Sequence, residues 1–160
     1  MEVALTARVR ENCVWLQRLG FEFKTIPECN QFTYYGRGPM ENYCDMYLHT
    51  TTGWFASDPG KEYVPYIMPQ EHGNHANCKE LHLKNGLSFT TDTVFEIQVS
   101  DYSAQALTKA EHIDELVKNG AVNVRIDYKD SGVGSSSCGP NMLEKYRLKE
   151  KDIYFTFCVK

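Results

Sequence analysis

The sequence has no long apolar run, no surplus of positive charge and no paired cysteines. Its 17 Lys and Arg are outnumbered by 21 Asp and Glu, for a formal charge of -4 over 160 residues and a pI near 5.7. The cations are scattered, not striped along one face, so the chain lacks the electrostatic footprint of a nucleic-acid binder. No stretch approaches the roughly 18 consecutive apolar residues of a membrane span, and Met1 to Arg8 lacks a basic segment followed by an apolar run. The expectation is a soluble, cytoplasmic chain with no visible export signal and no membrane partner. Six cysteines, at 13, 29, 44, 78, 138 and 158, stand singly. That spacing is not a disulfide scaffold and suits reduced thiols.

What remains is an ordinary globular composition, 42% hydrophobic and 24% charged, long enough for one core and one domain, residues 1–160. There is no internal repeat, low-complexity tract or linker. Period-two alternation dominates, first as Val3, Leu5, Ala7 and Val9 against Glu2, Thr6, Arg8 and Arg10, then as Phe21 and Phe23 against Glu22 and Lys24. Further strands are expected over 31–35, 78–83, 87–91, 94–99, 122–128 and 153–159, with Asn85-Gly86 as a hairpin turn. Thr108 and Glu111 form a capping box for one helix whose apolar face is Ile113, Leu116 and Val117 and which Gly120 closes. Thr50 to Gly53 and Ser131 to Pro140 have loop compositions. The pattern predicts an all-β antiparallel sandwich with one short helix.

Three segments carry candidate chemistry. In Tyr34-Tyr35-Gly36-Arg37-Gly38-Pro39-Met40-Glu41-Asn42-Tyr43, the glycines suggest a turn needing backbone conformations barred to other residues. Arg37 and Glu41 there could hydrogen-bond sugar hydroxyls or pair internally to hold the loop; with Asn42 they are taken as structural. In Pro65-Tyr66-Ile67-Met68-Pro69-Gln70-Glu71-His72-Gly73-Asn74-His75, the set His72, His75 and Cys78 superficially offers zinc ligands, but Gly73 and Asn74 argue for a loop and no metal is expected. Its polar groups could satisfy buried backbone or touch sugar. Gly132 to Pro140 is dense in glycine and serine hydroxyls. Cys138 within it has no surrounding thiol-protease signature, and no pair among the acidic residues stands in a glycosidase motif. The aromatic residues could stack on sugars, although core packing accounts for the larger share.

The first two segments and the Gly/Ser loop, in that order, resemble the C-terminal domain of family 2 β-galactosidases, also found as the small chain of two-chain β-galactosidases. The resemblance runs from about Leu16 to the C-terminus. It implies part of a galactose mutarotase-like supersandwich, the family domain being roughly twice this length, so that the chain looks like a fragment whose unpaired edges favour a dimer or larger oligomer. It implies sugar contact through Ser137, Cys138 and Gly139, with Glu71, His72 and Asn74 as further carbohydrate-binding candidates. Some relatives carry a stacking tryptophan near the position of Cys138. Both catalytic carboxylates of the family belong to an α/β barrel absent here, so the expected role is a non-catalytic wall of an active site for terminal β-D-galactosides. The expected partners are the remaining domains or large chain and the galactoside substrate. No cofactor is expected in this chain, although full enzymes of the family often use Mg and Na ions. The alternative is a stand-alone mutarotase-type epimerase with Glu71 and His72 as its acid and base.

Overall fold

The computed structural model describes residues 1–133 and 140–160. Among these, the strands are β1 (Glu2–Arg8), β2 (Arg18–Thr25), β3 (Phe32–Gly38), β4 (Thr51–Ser57), β5 (Asn74–Leu83), β6 (Ser88–Ser100), β7 (Val122–Asp130) and β8 (Asp152–Val159). One α-helix, α1 (Ala104–Lys109), and three single turns of 3-10 helix complete the regular structure. Every strand pairing is antiparallel. Among the described residues no helix is long and apolar enough to cross a membrane.

The strands run β1-β8-β6-β5-β3-β4, and the sheet branches at β6. Phe89 and Thr90 at one end of β6 pair with β8, whereas Glu96 to Ser100 at its other end pair with β7, which carries β2 on its far side. One long strand thus belongs to two layers, and the β1–β8 ribbon packs over the β2–β7 ribbon. Phe21 of β2 meets Phe157 of β8 edge-on at 5.7 Å, and Phe23 lies 5.8 Å from Phe89. Full burial, as at Phe89 and Phe157, stabilises the fold by about 1.5–3 kcal/mol per ring. Val3 and Leu5 close the same core from β1, while Glu2, Ala4, Thr6 and Arg8 face solvent. The result is the all-β sandwich that the alternation predicts.

The Asn85-Gly86 hairpin forms as expected: Gly86 has φ 93°, and the Leu83 and Leu87 backbones close the turn. Three expectations need correction. The two strands expected over 87–99 are one continuous β6, because β5 pairs with it at both ends. Thr51 to Gly53 are not loop but the start of β4, an edge strand that β3 alone suffices to hold. The α-helix lies upstream of the expected one. Ser103 is its cap, accepting from the Ala106 N–H, and Thr108 sits in its last turn with its hydroxyl donating to the Ala104 carbonyl. A helix of six residues ends at Lys109, and Ile113–Glu115 is only a 3-10 turn with no buried side chain, so no apolar face holds a longer helix down.

Candidate functional site

The first motif is a strand end, not a turn. Gly36 and Gly38 lie in β3 with negative φ, and each is required for close approach: a Cβ on Gly36 would strike the Cys78 thiol, and one on Gly38 the Tyr34 hydroxyl. A cis Gly38–Pro39 bond then leads into the loop. Arg37 and Glu41 do not pair with each other. The Arg37 guanidinium lies over the Tyr47 ring at 4.6 Å. The Glu41 carboxylate accepts from the Tyr66 hydroxyl at 2.6 Å and the Gly73 N–H at 2.7 Å, tying the first motif to the second.

Asn42 and Asn74 complete that tie. The Asn42 N–H donates to the Asn74 carbonyl at 2.7 Å, and the Asn74 side chain donates back to the Asn42 carbonyl at 2.9 Å. Asn42 further donates to the Arg37 and Met40 carbonyls and accepts from the Ala76 N–H. A buried amide thereby satisfies backbone groups that neither helix nor sheet reaches. His75, also buried, donates from Nε2 to Glu62 at 2.8 Å and takes the Tyr34 hydroxyl on Nδ1 at 3.0 Å. Burial pushes the Tyr34 phenol far above its ordinary pKa, so it keeps its proton and donates.

Behind the second motif lies a buried charged network. Glu71 bonds Arg125 at 2.8 Å and Arg18 at 2.9 Å and accepts from Gln98. Arg18 also pairs with Asp127 and, at 3.7 Å, with Asp130. Two guanidiniums face Glu71, Asp127, Asp130 and, beyond them, Glu96, which accepts from Asn74 at 2.6 Å. Carboxylates outnumber the cations, and burial dominates the titration: the Asp130 carboxyl is pushed up to about 8 and that of Glu96 to about 7, while Asp127 is also raised despite Arg18 beside it.

Of the described carbohydrate-binding candidates, Glu71 alone is half-buried, with 24% of its side chain exposed. It lines a cleft of about 360 Å³ with Trp15, Gln17, Gly132, Val133 and Asn141, and a neighbouring one of about 370 Å³ with Arg18 and Leu107. Val133 and Asn141 flank the Gly/Ser segment; Ser137, Cys138 and Gly139 themselves lie outside the described residues. His72 is 3% exposed, its Nδ1 on the Gln70 carbonyl and its ring edge-on to Tyr63, and Asn74 is fully buried. His72, His75 and Cys78 do not converge: the Cys78 thiol donates to the His75 carbonyl, and the two imidazoles have separate partners. Among the described residues no three His, Cys, Asp or Glu side chains gather to hold a metal ion. The five described cysteines are free thiols.

The sequence pattern of the family described as "Beta galactosidase small chain" matches residues 1–159. The chain belongs to that family. Similar relatives include the beta-galactosidases of Actinobacillus pleuropneumoniae, 34% identical over 89% of this chain and 14% of the relative, and of Staphylococcus xylosus, 33% identical over 91% and 15%. The beta-galactosidase of Kluyveromyces lactis is 35% identical over 88% of this chain and 14% of its own length. The chain thus spans about one seventh of the relatives it matches, and the beta galactosidase small chain is one region of a much larger protein in each. The residues that sequence reasoning missed are Arg18, Arg125, Asp127, Asp130 and Glu96. The signal at Arg125 and Asp127 is charge at alternating positions of one strand, which usually marks a solvated face, and Arg18, Glu96 and Asp130 join them only through the pairing of β2, β6 and β7.

Proposed function

We propose that this small-chain region is a non-catalytic wall of a family 2 β-galactosidase active site, completing a pocket for terminal β-D-galactosides whose reacting carboxylates lie on another domain or chain. The observation that carries this reading is that the described motif side chains are engaged in holding the fold. Glu41, Asn42, Asn74 and His75 bond one another's loops, and Glu71 is held by two guanidiniums. Both guanidiniums and the Gln98 amide occupy the oxygens of that carboxylate, which leaves it poorly placed to attack or take a proton from a substrate. It is well suited to hold a loop in register. The cleft between Glu71, Val133 and Asn141 is the part proposed to meet sugar, with the hydroxyls of the adjoining Ser137 segment as donors and the mechanism being substrate positioning.

The acid and base needed for mutarotation are not offered by Glu71 and His72, since one is ion-paired and the other buried on a carbonyl. The sandwich is proposed to be part of a mutarotase-like supersandwich. Among the described residues, strands β1, β2 and β4 each pair on one side only, and those edges are proposed to contact the rest of the enzyme or a second copy. The free thiols suit a reducing cytoplasm.

The test uses the purified chain with nitrophenyl β-galactoside and, separately, polarimetry of freshly dissolved α-galactose. The expected result is activity in neither assay, and hydrolysis only when the chain is combined with the remainder of the β-galactosidase. Hydrolysis or accelerated mutarotation by the chain alone would overturn the proposal.

A further inference from the structure

The two tryptophans stand far apart in sequence, and Trp54 lies on β4, which pairs with the motif strand β3. It is 56% exposed on the edge strand β4. Directly across β3 it faces Tyr35, with ring centroids 5.5 Å apart, and Tyr35 in turn faces Glu80 of β5. One row along, Ala56, Thr33 and His82 are in register. The Trp54 and His82 rings come within 5.8 Å at only 29°, although a whole strand separates β4 from β5. The indole therefore reaches across β3 toward the imidazole, and the His82 Nε2 is itself bonded to the Glu80 carboxylate at 2.9 Å. Three rings and a carboxylate share one solvent face of the sheet.

Beside this platform opens a recess of about 430 Å³ that takes in Thr33 and Ala56 and is rimmed by Gln31, Asp58, Lys61 and Lys84. Asp58 and Lys61 pair at 2.8 Å, so the rim presents donors and acceptors with Lys84 as its one further charge. An exposed aromatic platform edged by hydrogen-bonding groups matches a pyranose ring, which has an apolar C–H face and a rim of hydroxyls. With Asp58 paired to Lys61 and Glu80 bonded to His82, hydrogen bonding and stacking, not charge, are the means of recognition, which suits a neutral sugar. We propose that this face is a second saccharide-binding site, taking a neutral oligosaccharide of two or more pyranose rings, one stacked on Trp54 and the next reaching the Asp58–Lys61 recess. It shares no lining residue with the cleft at Glu71, and stands or falls separately from the role proposed for that cleft.

The experiment titrates the 160-residue chain with β-1,4-galactotetraose, by calorimetry and by tryptophan fluorescence in a Trp15→Phe background where Trp54 is the sole emitter. Saturable binding with a change in Trp54 emission is expected. Trp54→Ala lowers affinity about tenfold or more, Trp54→Phe retains most of it, and Glu80→Gln loses about threefold or more. Because Trp54 is largely exposed, circular dichroism of Trp54→Ala should match the parent. Absence of saturable binding, binding unchanged by Trp54→Ala, or binding abolished instead by Trp15→Ala at the other cleft would overturn the proposal. So would a Trp54 signal that responds only to the remainder of the β-galactosidase, which would make this face a protein contact.

Discussion

The two ends of the β5–β6 ladder are built from the same backbone pairing but held by different physics. At one end Leu81 lies opposite Phe89, and the neighbours are Phe23, Phe157 and Leu83. At the other end Asn74 lies opposite Gln98, and the neighbours are Glu96, Glu71, Arg125 and the Asn42 loop. The apolar end draws stability from area removed from water, which is insensitive to pH and forgiving of small shifts. The polar end depends on each partner being present, since a buried group left alone costs far more than its bond returns. The motif residues sit at the polar end, where a change of one side chain releases two loops at once.

The largest expected effects probe both ends. Arg125→Ala, at a side chain 3% exposed and bonded to Glu71, should cost about 3–5 kcal/mol by stranding buried carboxylates. Phe157→Ala at the apolar end should cost a similar 3–5 kcal/mol. Urea unfolding at pH 5 and pH 8 separates them, because Arg125→Ala should be markedly worse at pH 8, where the acids are charged, and Phe157→Ala should track the parent.

Next, Asn42→Ala removes the partner of the Ala76 N–H and of the Met40 carbonyl, and one of two contacts of the Arg37 carbonyl, and should cost about 2–3 kcal/mol. Thermal denaturation is the check, and faster proteolysis of the 39–50 loop should accompany it. A smaller effect is the pH dependence itself. Glu96 and Asp130 have folded pKa values raised above those of the unfolded chain, so their contribution is complete below the ordinary carboxylate range and is lost as pH rises through about 7 and 8. Melting temperature should therefore fall between pH 5 and pH 8.5, and Glu96→Gln should flatten the fall. At the hairpin beyond the apolar end, Gly86→Ala forces a side chain into φ 93° and should cost about 1 kcal/mol, with no change in pH profile.

Strands were legible wherever one face is apolar and the other wet. β1 and β8 show that alternation and appear where expected. β4 was hidden because Thr51, Thr52 and Gly53 have the composition of a loop, and only pairing with β3 makes them strand. A capping box at Thr108 and an apolar triplet satisfy local rules for a later helix, while burial favours Leu107 of α1. At the site, the motif residues were visible by their types, but the choice between touching sugar and holding backbone was not. Proximity in sequence offers Arg37 as one partner for Glu41, whereas the fold gives it the Tyr66 hydroxyl and the Gly73 amide.

By itself the sequence determined the all-β class, the Asn85-Gly86 hairpin and the family, because these rest on local periodicity, turn chemistry and motif order. Only the tertiary structure decided that Asn123, Arg125 and Asp127, alternating polar residues that a lone strand would show to water, are buried. It also decided that Trp54, Tyr35 and His82 share one exposed face. Both outcomes depend on which strand lies beside which, and side chains brought together from distant segments have no common signal along the chain.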